Sequence, residues 1–144
     1  MLQAFCGRIE TLRTFEDHTP VLDAVSEPGN GRVLVVDAGG SLRIGVMGDR
    51  LAEIAARNGW AGAIINGAIR DSVGIDGLSF GVKALGATAR RSWQPTRGDR
   101  GLTANFGGVD FIAGQWIYAD RDAVIVSADP LDLPEGAPVA HLPE

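Results

Sequence analysis

The chain has 144 residues, 45% hydrophobic and 22% charged, which is the size and composition of one globular domain. Thirteen Lys and Arg against 18 Asp and Glu leave a net charge of −5, so direct nucleic-acid binding is disfavoured, and a metal ion or a basic protein partner is easier to accommodate. One cysteine, Cys6, excludes a disulfide framework and a cysteine-rich zinc site, and two distant histidines, His18 and His141, argue against a histidine-rich metal site or a Ser-His-Asp triad.

In chain order, Ile9–Phe15 alternates weakly and predicts a strand. Thr19-Pro20 opens a short helix to Val25, and Ser26–Gly31 is a turn cluster. Arg32–Asp37 is a β-branched run expected to be covered on both faces. Ala38–Ser41 turns the chain, and Leu42–Met47 is a short extended segment. Gly48-Asp49 opens a helix to Asn58, stopped by Gly59, with Glu53 and Arg57 paired at i,i+4. Trp60–Asn66 is a second apolar strand, which completes a βαβ unit.

Gly67–Asp71 reads as the turn leaving that strand, Ser72–Leu78 as one or two helical turns, and Gly81–Gly86 as a third strand. Thr88–Gly101, with Arg90, Arg91, Arg97 and Arg100, reads as an exposed loop of solvated charge. Leu102–Phe106, Val109–Ile112, Gln115–Tyr118 and Ala123–Ser127 are separated by hairpin-type breaks and predict an antiparallel final third. Residues 1–127 are thus expected to form the domain, and 128–144 a loosely held tail. Trp60, Trp93 and Trp116 are read mainly as core packing. No apolar run approaches the roughly 20 residues of a membrane span, and the first residues lack a signal-peptide layout, so a soluble cytoplasmic protein is expected.

Two polar, glycine-rich turns follow strands, Asp37–Ser41 and Asn66–Asp71, and sites in open α/β sheets gather there. Between them, Gly48-Asp49-Arg50-Leu51 places free backbone amides and a helix dipole where an anion is favoured. Taken singly, Asp49 reads equally as a helix cap, and Arg70-Asp71 equally as a turn with a local ion pair. Converging, they would suit a hard cation plus an anionic oxo-acid.

The spacing Gly45-x3-Asp49-x20-Arg70-Asp71 resembles the G-x3-D-x20-R-D pattern of the RraA-like proteins. These comprise regulator of ribonuclease activity A and the class II 4-hydroxy-4-methyl-2-oxoglutarate aldolases. The stretches TLRTFEDHTPVLDAV, GRVLVVDAGGSLR, GDRLAEIAARNGWAGAIINGAIRD, GVKALGATARRS and FGGVDFIAGQWIYADRDAVIVS fit the family in order, over about residues 5–127. The resemblance implies an α/β fold, a swivelling three-layer β/β/α domain, and a homotrimer with sites at subunit interfaces.

It further implies a divalent cation (Mg²⁺ or Mn²⁺) and cleavage of 4-hydroxy-4-methyl-2-oxoglutarate to two pyruvates, or decarboxylation of oxaloacetate, through a metal-stabilised pyruvate enolate. Carried over by motif, Asp71 would bind the metal and Arg70 the substrate. Gly48, Asp49, Arg50 and Leu51 would hold the pyruvyl group, with Asp49 orienting metal-bound water. Position 50 is Arg where the family commonly has Leu. The family's aldolases also use acidic residues from a neighbouring subunit's N-terminal section, and the residues before Ile9 offer no match to that section.

No Schiff-base lysine is required; Lys83 falls in a strand away from the motif. The alternative is a non-catalytic regulator that docks on ribonuclease E. A methyltransferase finds no glycine motif suited to S-adenosylmethionine.

Overall fold

The computed structural model describes residues 1–133. Most of the expected tail, residues 134–144, lies outside the described residues. The elements run β1 (Phe5–Arg13), α1 (Thr19–Val25), β2 (Val33–Asp37), β3 (Gly45–Met47), α2 (Asp49–Arg57), β4 (Gly62–Ile69), α3 (Ser72–Asp76), β5 (Gly81–Ala87), β6 (Asp99–Arg100), β7 (Ala104–Phe106), β8 (Val109–Phe111), β9 (Trp116–Ala119) and β10 (Val124–Ser127).

One mixed sheet organises the molecule. Its order is β10-β9-β1-β2-β4-β3, with β5 also on β4 and β6 also on β1. The pairs β1–β2, β2–β4, β3–β4 and β4–β5 are parallel. β6, β9 and β10 join antiparallel. β7 and β8 form a separate antiparallel hairpin.

The apolar runs explain the layering, because successive strand side chains point to opposite faces. On β2, Leu34 and Val36 join a core with Val21, Val25, Leu51, Ala52 and Ala55 of the helices. Val33 and Val35 join a second core with Phe5, Ile9, Ile117 and the hairpin residues Ala104 and Phe111. Helices, main sheet and hairpin are therefore three stacked layers, as expected for a β/β/α domain. Gly62 and Gly81 are register partners under the Phe5 ring, and a Cβ at Gly81 would lie 2.0 Å from it. That close approach accounts for part of the glycine excess.

Several expectations are corrected. The first strand begins at Phe5, four residues before Ile9, because its N-terminal half pairs with β9. The second apolar strand does not stop at Asn66. A register shift between Ile65 and Ala68 lets β4 continue to Ile69, where β3 and β5 hold it. The final third is antiparallel as expected, with β7 paired to β8 and β9 to β10, and β9 also joins β1. Of the three tryptophans only Trp60 is core; Trp93 is 83% exposed, and Trp116 is half-buried with the Arg8 guanidinium 5.1 Å from its ring centroid. Arg100 is no loop charge either: it pairs with Glu27 at 3.0 Å and Glu10 at 3.3 Å.

Other details agree. Arg57 pairs with Glu53 at 3.4 Å. Cys6 is buried, and that burial pushes its thiol up, away from the reactive thiolate. No helix among the described residues is long and apolar enough to cross a membrane.

Candidate functional site

The parallel strands β3 and β4 release their chains side by side, and the site is built where they do so. Met47 of β3 accepts the Arg70 amide at 2.8 Å, so the two strand exits are tied together. From β3 the chain turns at Gly48, the N-cap of α2, whose backbone is extended. From β4 it passes through Arg70 to Asp71, which holds φ 55° and ψ 44°. Left-handed backbone at a non-glycine residue is costly and gathers at functional sites.

Glycines admit the side chains. A Cβ at Gly45 would lie 2.1 Å from Arg70 Cγ, one at Gly48 would lie 2.6 Å from Asp71 Oδ2, and one at Gly74 would lie 2.6 Å from Asp49 Oδ2. The first glycine of the motif is thus the floor over which the arginine crosses, which gives the Gly45…Arg70 spacing a physical cause.

The result is a cleft of about 160 Å³ lined by Gly45, Gly48, Asp49, Arg50, Leu51, Arg70 and Asp71, together with His18 and Arg91. All six residues singled out from the motif converge here. The Asp37–Ser41 turn does not. Its Asp37 carboxylate accepts from Asn66 Nδ2 at 3.0 Å and Gly39 N at 3.1 Å, outside this cleft.

Asp49 is not the cap of its helix; it is the first helical residue, and its side chain makes no capping bond. Its amide donates to Asp71 Oδ2 at 3.4 Å, so the helix N-terminus faces the Asp71 carboxylate. The next two amides, Arg50 and Leu51, have no acceptor among the described residues, as the first turn of a helix dictates. Nor is Arg70 tied into a local ion pair with Asp71: its Nε is buried with no acceptor among the described residues. A buried donor without a partner costs free energy and marks a place where an acceptor is missing.

His18 and Arg91 were missed. The sequence presents His18 only as one of two distant histidines, and Arg91 as solvated loop charge. Their signal lay in TLRTFEDHTPVLDAV and GVKALGATARRS, stretches that carry the resemblance without containing its motif. Both reach the cleft through Asp17, a fully buried carboxylate. Asp17 Oδ1 accepts from Thr19 N at 3.0 Å and from Ser92 Oγ at 3.3 Å. Its Oδ2 accepts from Thr96 N and from Thr96 Oγ1, the latter at 2.8 Å. The segment after β5 is thereby fastened to the start of α1. Gly45 N donates to Arg90 O at 2.9 Å and fastens it to β3.

Burial pushes the Asp17 carboxyl up, but hydrogen bonds from Thr19 and Thr96 outweigh it and hold the group below its ordinary value of 3.8. A depressed carboxylate stabilises the fold above its unfolded value, and that contribution is lost as pH falls through the folded one. Asp17→Asn is therefore expected to cost about 1–3 kcal/mol at neutral pH. In urea melts the gap from wild type should close below pH 4 or so, as the wild-type carboxyl protonates. A gap of constant size down to pH 2.5 or so would contradict this.

The comparisons with known proteins agree with one another. The family model RraA-like (Aldolase/RraA) matches residues 1–126. A Laribacter hongkongensis protein assigned by name as a 4-hydroxy-4-methyl-2-oxoglutarate aldolase is 51% identical over 127 residues, covering 88% of this chain and 80% of its own. The solved structure of the RNA-processing inhibitor RraA from Thermus thermophilus superposes with a TM-score of 0.87 at 37% identity, over 90% of this chain and 79% of that one. A Geobacillus kaustophilus structure named as an S-adenosylmethionine:2-dimethylmenaquinone methyltransferase superposes at 0.86 with 43% identity, over 90% and 80%. On its sequence and on its fold alike, the chain belongs to the RraA-like family.

Proposed function

We propose that this protein is a divalent-metal-dependent lyase of small 2-oxo acids, with oxaloacetate decarboxylation its simplest reaction and aldol cleavage of 4-hydroxy-4-methyl-2-oxoglutarate its fuller one. The observation that carries the proposal is the buried, acceptor-less Arg70 Nε beside Asp71 and a helix N-terminus.

The donor set suits a hard cation. No group of three or more His, Cys, Asp or Glu gathers among the described residues. Mg²⁺ needs no such group, since it keeps several waters and takes one or two carboxylates plus substrate oxygens. Asp71 would be the direct ligand, and Asp49 would hold a bound water. The cation when bound supplies Lewis acidity at the keto and carboxylate oxygens.

The chain's own residues do the rest. The Arg50 and Leu51 amides receive the substrate carboxylate. Arg70 lays positive charge where the enolate oxygen develops. With Arg50 and Arg91 also lining the cleft, three guanidiniums face two carboxylates there, which favours an anionic substrate in a protein of net charge −5. A volume of about 160 Å³ suits a three- to five-carbon acid. The sequence has no glycine motif suited to the Geobacillus relative's methyl donor, which is not carried over. The homotrimer belongs to the same proposal: Leu42 and Leu85, beside the β5 edge, are 55% and 61% exposed, and light scattering should return three chains per particle.

The test is pyruvate formation from oxaloacetate with Mg²⁺ and with EDTA. A rate above that of Mg²⁺ alone, abolished by the chelator, is expected. No protein-dependent rate from a folded sample would sink the lyase. The second reading, a ribonuclease regulator, draws on the likeness to the Thermus inhibitor. It predicts binding to ribonuclease E that survives Asp71→Ala.

A further inference from the structure

We propose that His18 is the proton-transfer residue of this cleft, oriented by Ser92 on the buried Asp17; the proposal rests on the lyase reading above. His18 lines the cleft with Arg70 and Asp71, yet it belongs to the segment before α1. It stands at the N-cap of that helix, but its side chain does not cap. Asp17 supplies that bond through Thr19, and the imidazole is left for other work.

The ring is held from behind. Nδ1 of His18 hydrogen-bonds Ser92 Oγ, and Ser92 Oγ donates in turn to Asp17 Oδ1 at 3.3 Å. With the serine proton committed to the carboxylate, the serine oxygen accepts, so Nδ1 carries a proton and donates. This leaves Nε2 as the nitrogen free to serve the cleft. A proton-transfer group held by a second residue, which a third residue holds in turn, is the recurring layout of positioned acid–base catalysts. The other charged groups around the cleft are Arg50, Arg70 and Arg91 on one side of the balance and Asp49 and Asp71 on the other. Arg70 is the group we assign to the enolate oxygen, and neither carboxylate has the relay that orients His18.

The step balances. In oxaloacetate the C3–C4 bond breaks, carbon dioxide leaves, and the electron pair stays on the three-carbon fragment as the pyruvate enolate. The Nε2 proton of His18 then moves to C3, a C–H bond forms, and pyruvate results. Solvent returns the proton to Nε2, and nothing is oxidised or reduced. In reverse, neutral His18 takes a methyl proton from bound pyruvate.

That reverse step is the test. Pyruvate is incubated with the full chain and Mg²⁺ in D₂O, and loss of its methyl proton signal is followed by NMR. Oxaloacetate consumption is measured in parallel. His18→Asn and His18→Gln should slow exchange by roughly 10²–10⁴-fold. Oxaloacetate consumption should fall much less, since carbon–carbon cleavage does not need that proton, and added imidazole should restore part of the exchange. Ser92→Ala should lower exchange in the same sense by a smaller factor, also without a matching loss of consumption.

Unchanged exchange in both His18 variants, with exchange lost in Arg70→Ala, overturns the role of His18 and leaves the lyase standing. Equal losses of exchange and consumption with no response to imidazole overturn it too, because they mark a merely structural residue. Wild-type protein that neither exchanges pyruvate nor consumes oxaloacetate above the Mg²⁺ background removes the lyase reading, and the role of His18 falls with it.

Discussion

Arg70→Ala is expected to lower metal-dependent turnover of oxaloacetate by roughly 10²–10³-fold, the usual cost of removing one group aimed at a developing oxyanion. Its effect on stability should be small or favourable. Arg70 makes no ion pair among the described residues, and its buried Nε lacks an acceptor. Removing such a donor relieves a desolvation cost and breaks no hydrogen bond. A lost activity with a melting temperature equal to or above wild type is the signature of a residue kept for its site and not for its fold. Arg70→Lys should recover only part of the rate, since a point charge on a flexible stem does not reproduce the planar fork. Turnover within a few-fold of wild type in Arg70→Ala would mean that the guanidinium does not meet the reacting oxygen.

The sheet was legible in the sequence wherever one segment carried its own evidence. The run Val33–Val36 is covered on both faces, and its uninterrupted, valine-rich apolar character says so without reference to any neighbour. The α2 helix announces itself through Gly48, Gly59 and the Glu53–Arg57 spacing. What eluded local reading depends on partners far along the chain. β4 runs past Asn66-Gly67 because β3 and β5 hold its end. The start of β1 is a strand because β9, more than 100 residues later, pairs with it.

The site divides along the same line. Asp49, Arg70 and Asp71 sit at a motif spacing, and one βαβ crossover brings them together, so a single stretch of sequence records them. His18 and Arg91 are joined to each other through Asp17, Ser92 and Thr96, across 75 residues or more, and to that stretch through the Arg90 carbonyl on Gly45 N. An isolated histidine and one arginine among four in a polar loop carry no such record. Composition even argues against them, because most loop arginines are solvated.

Gly45→Ala should come close to Arg70→Ala in turnover although it removes no functional group. The new Cβ would lie 2.1 Å from Arg70 Cγ and 3.0 Å from both Arg70 Cδ and the Ile69 carbonyl carbon. Gly45 has no positive φ, so alanine is compatible with the backbone torsions, and the severe conflict is with the arginine stem, the Ile69 carbonyl carbon being a lesser one. Strand β3 is pinned by Gly45 N on Arg90 O at 2.9 Å and by its pairing with β4, so the side chain is the part that yields. A displacement of about 1 Å at a positioned group is worth roughly 10²-fold in rate. Overpacking of this kind costs about 1–3 kcal/mol of stability.

The double variant separates position from charge. Once Arg70 is alanine, the Cβ at position 45 has no stem to push, so Gly45→Ala should then cost little further activity and much less stability. Coupling of this sign, in rate and in melting temperature together, is the expected result of a double-mutant cycle. Strict additivity would mean that Gly45 acts on the cleft by some route other than the arginine that crosses it.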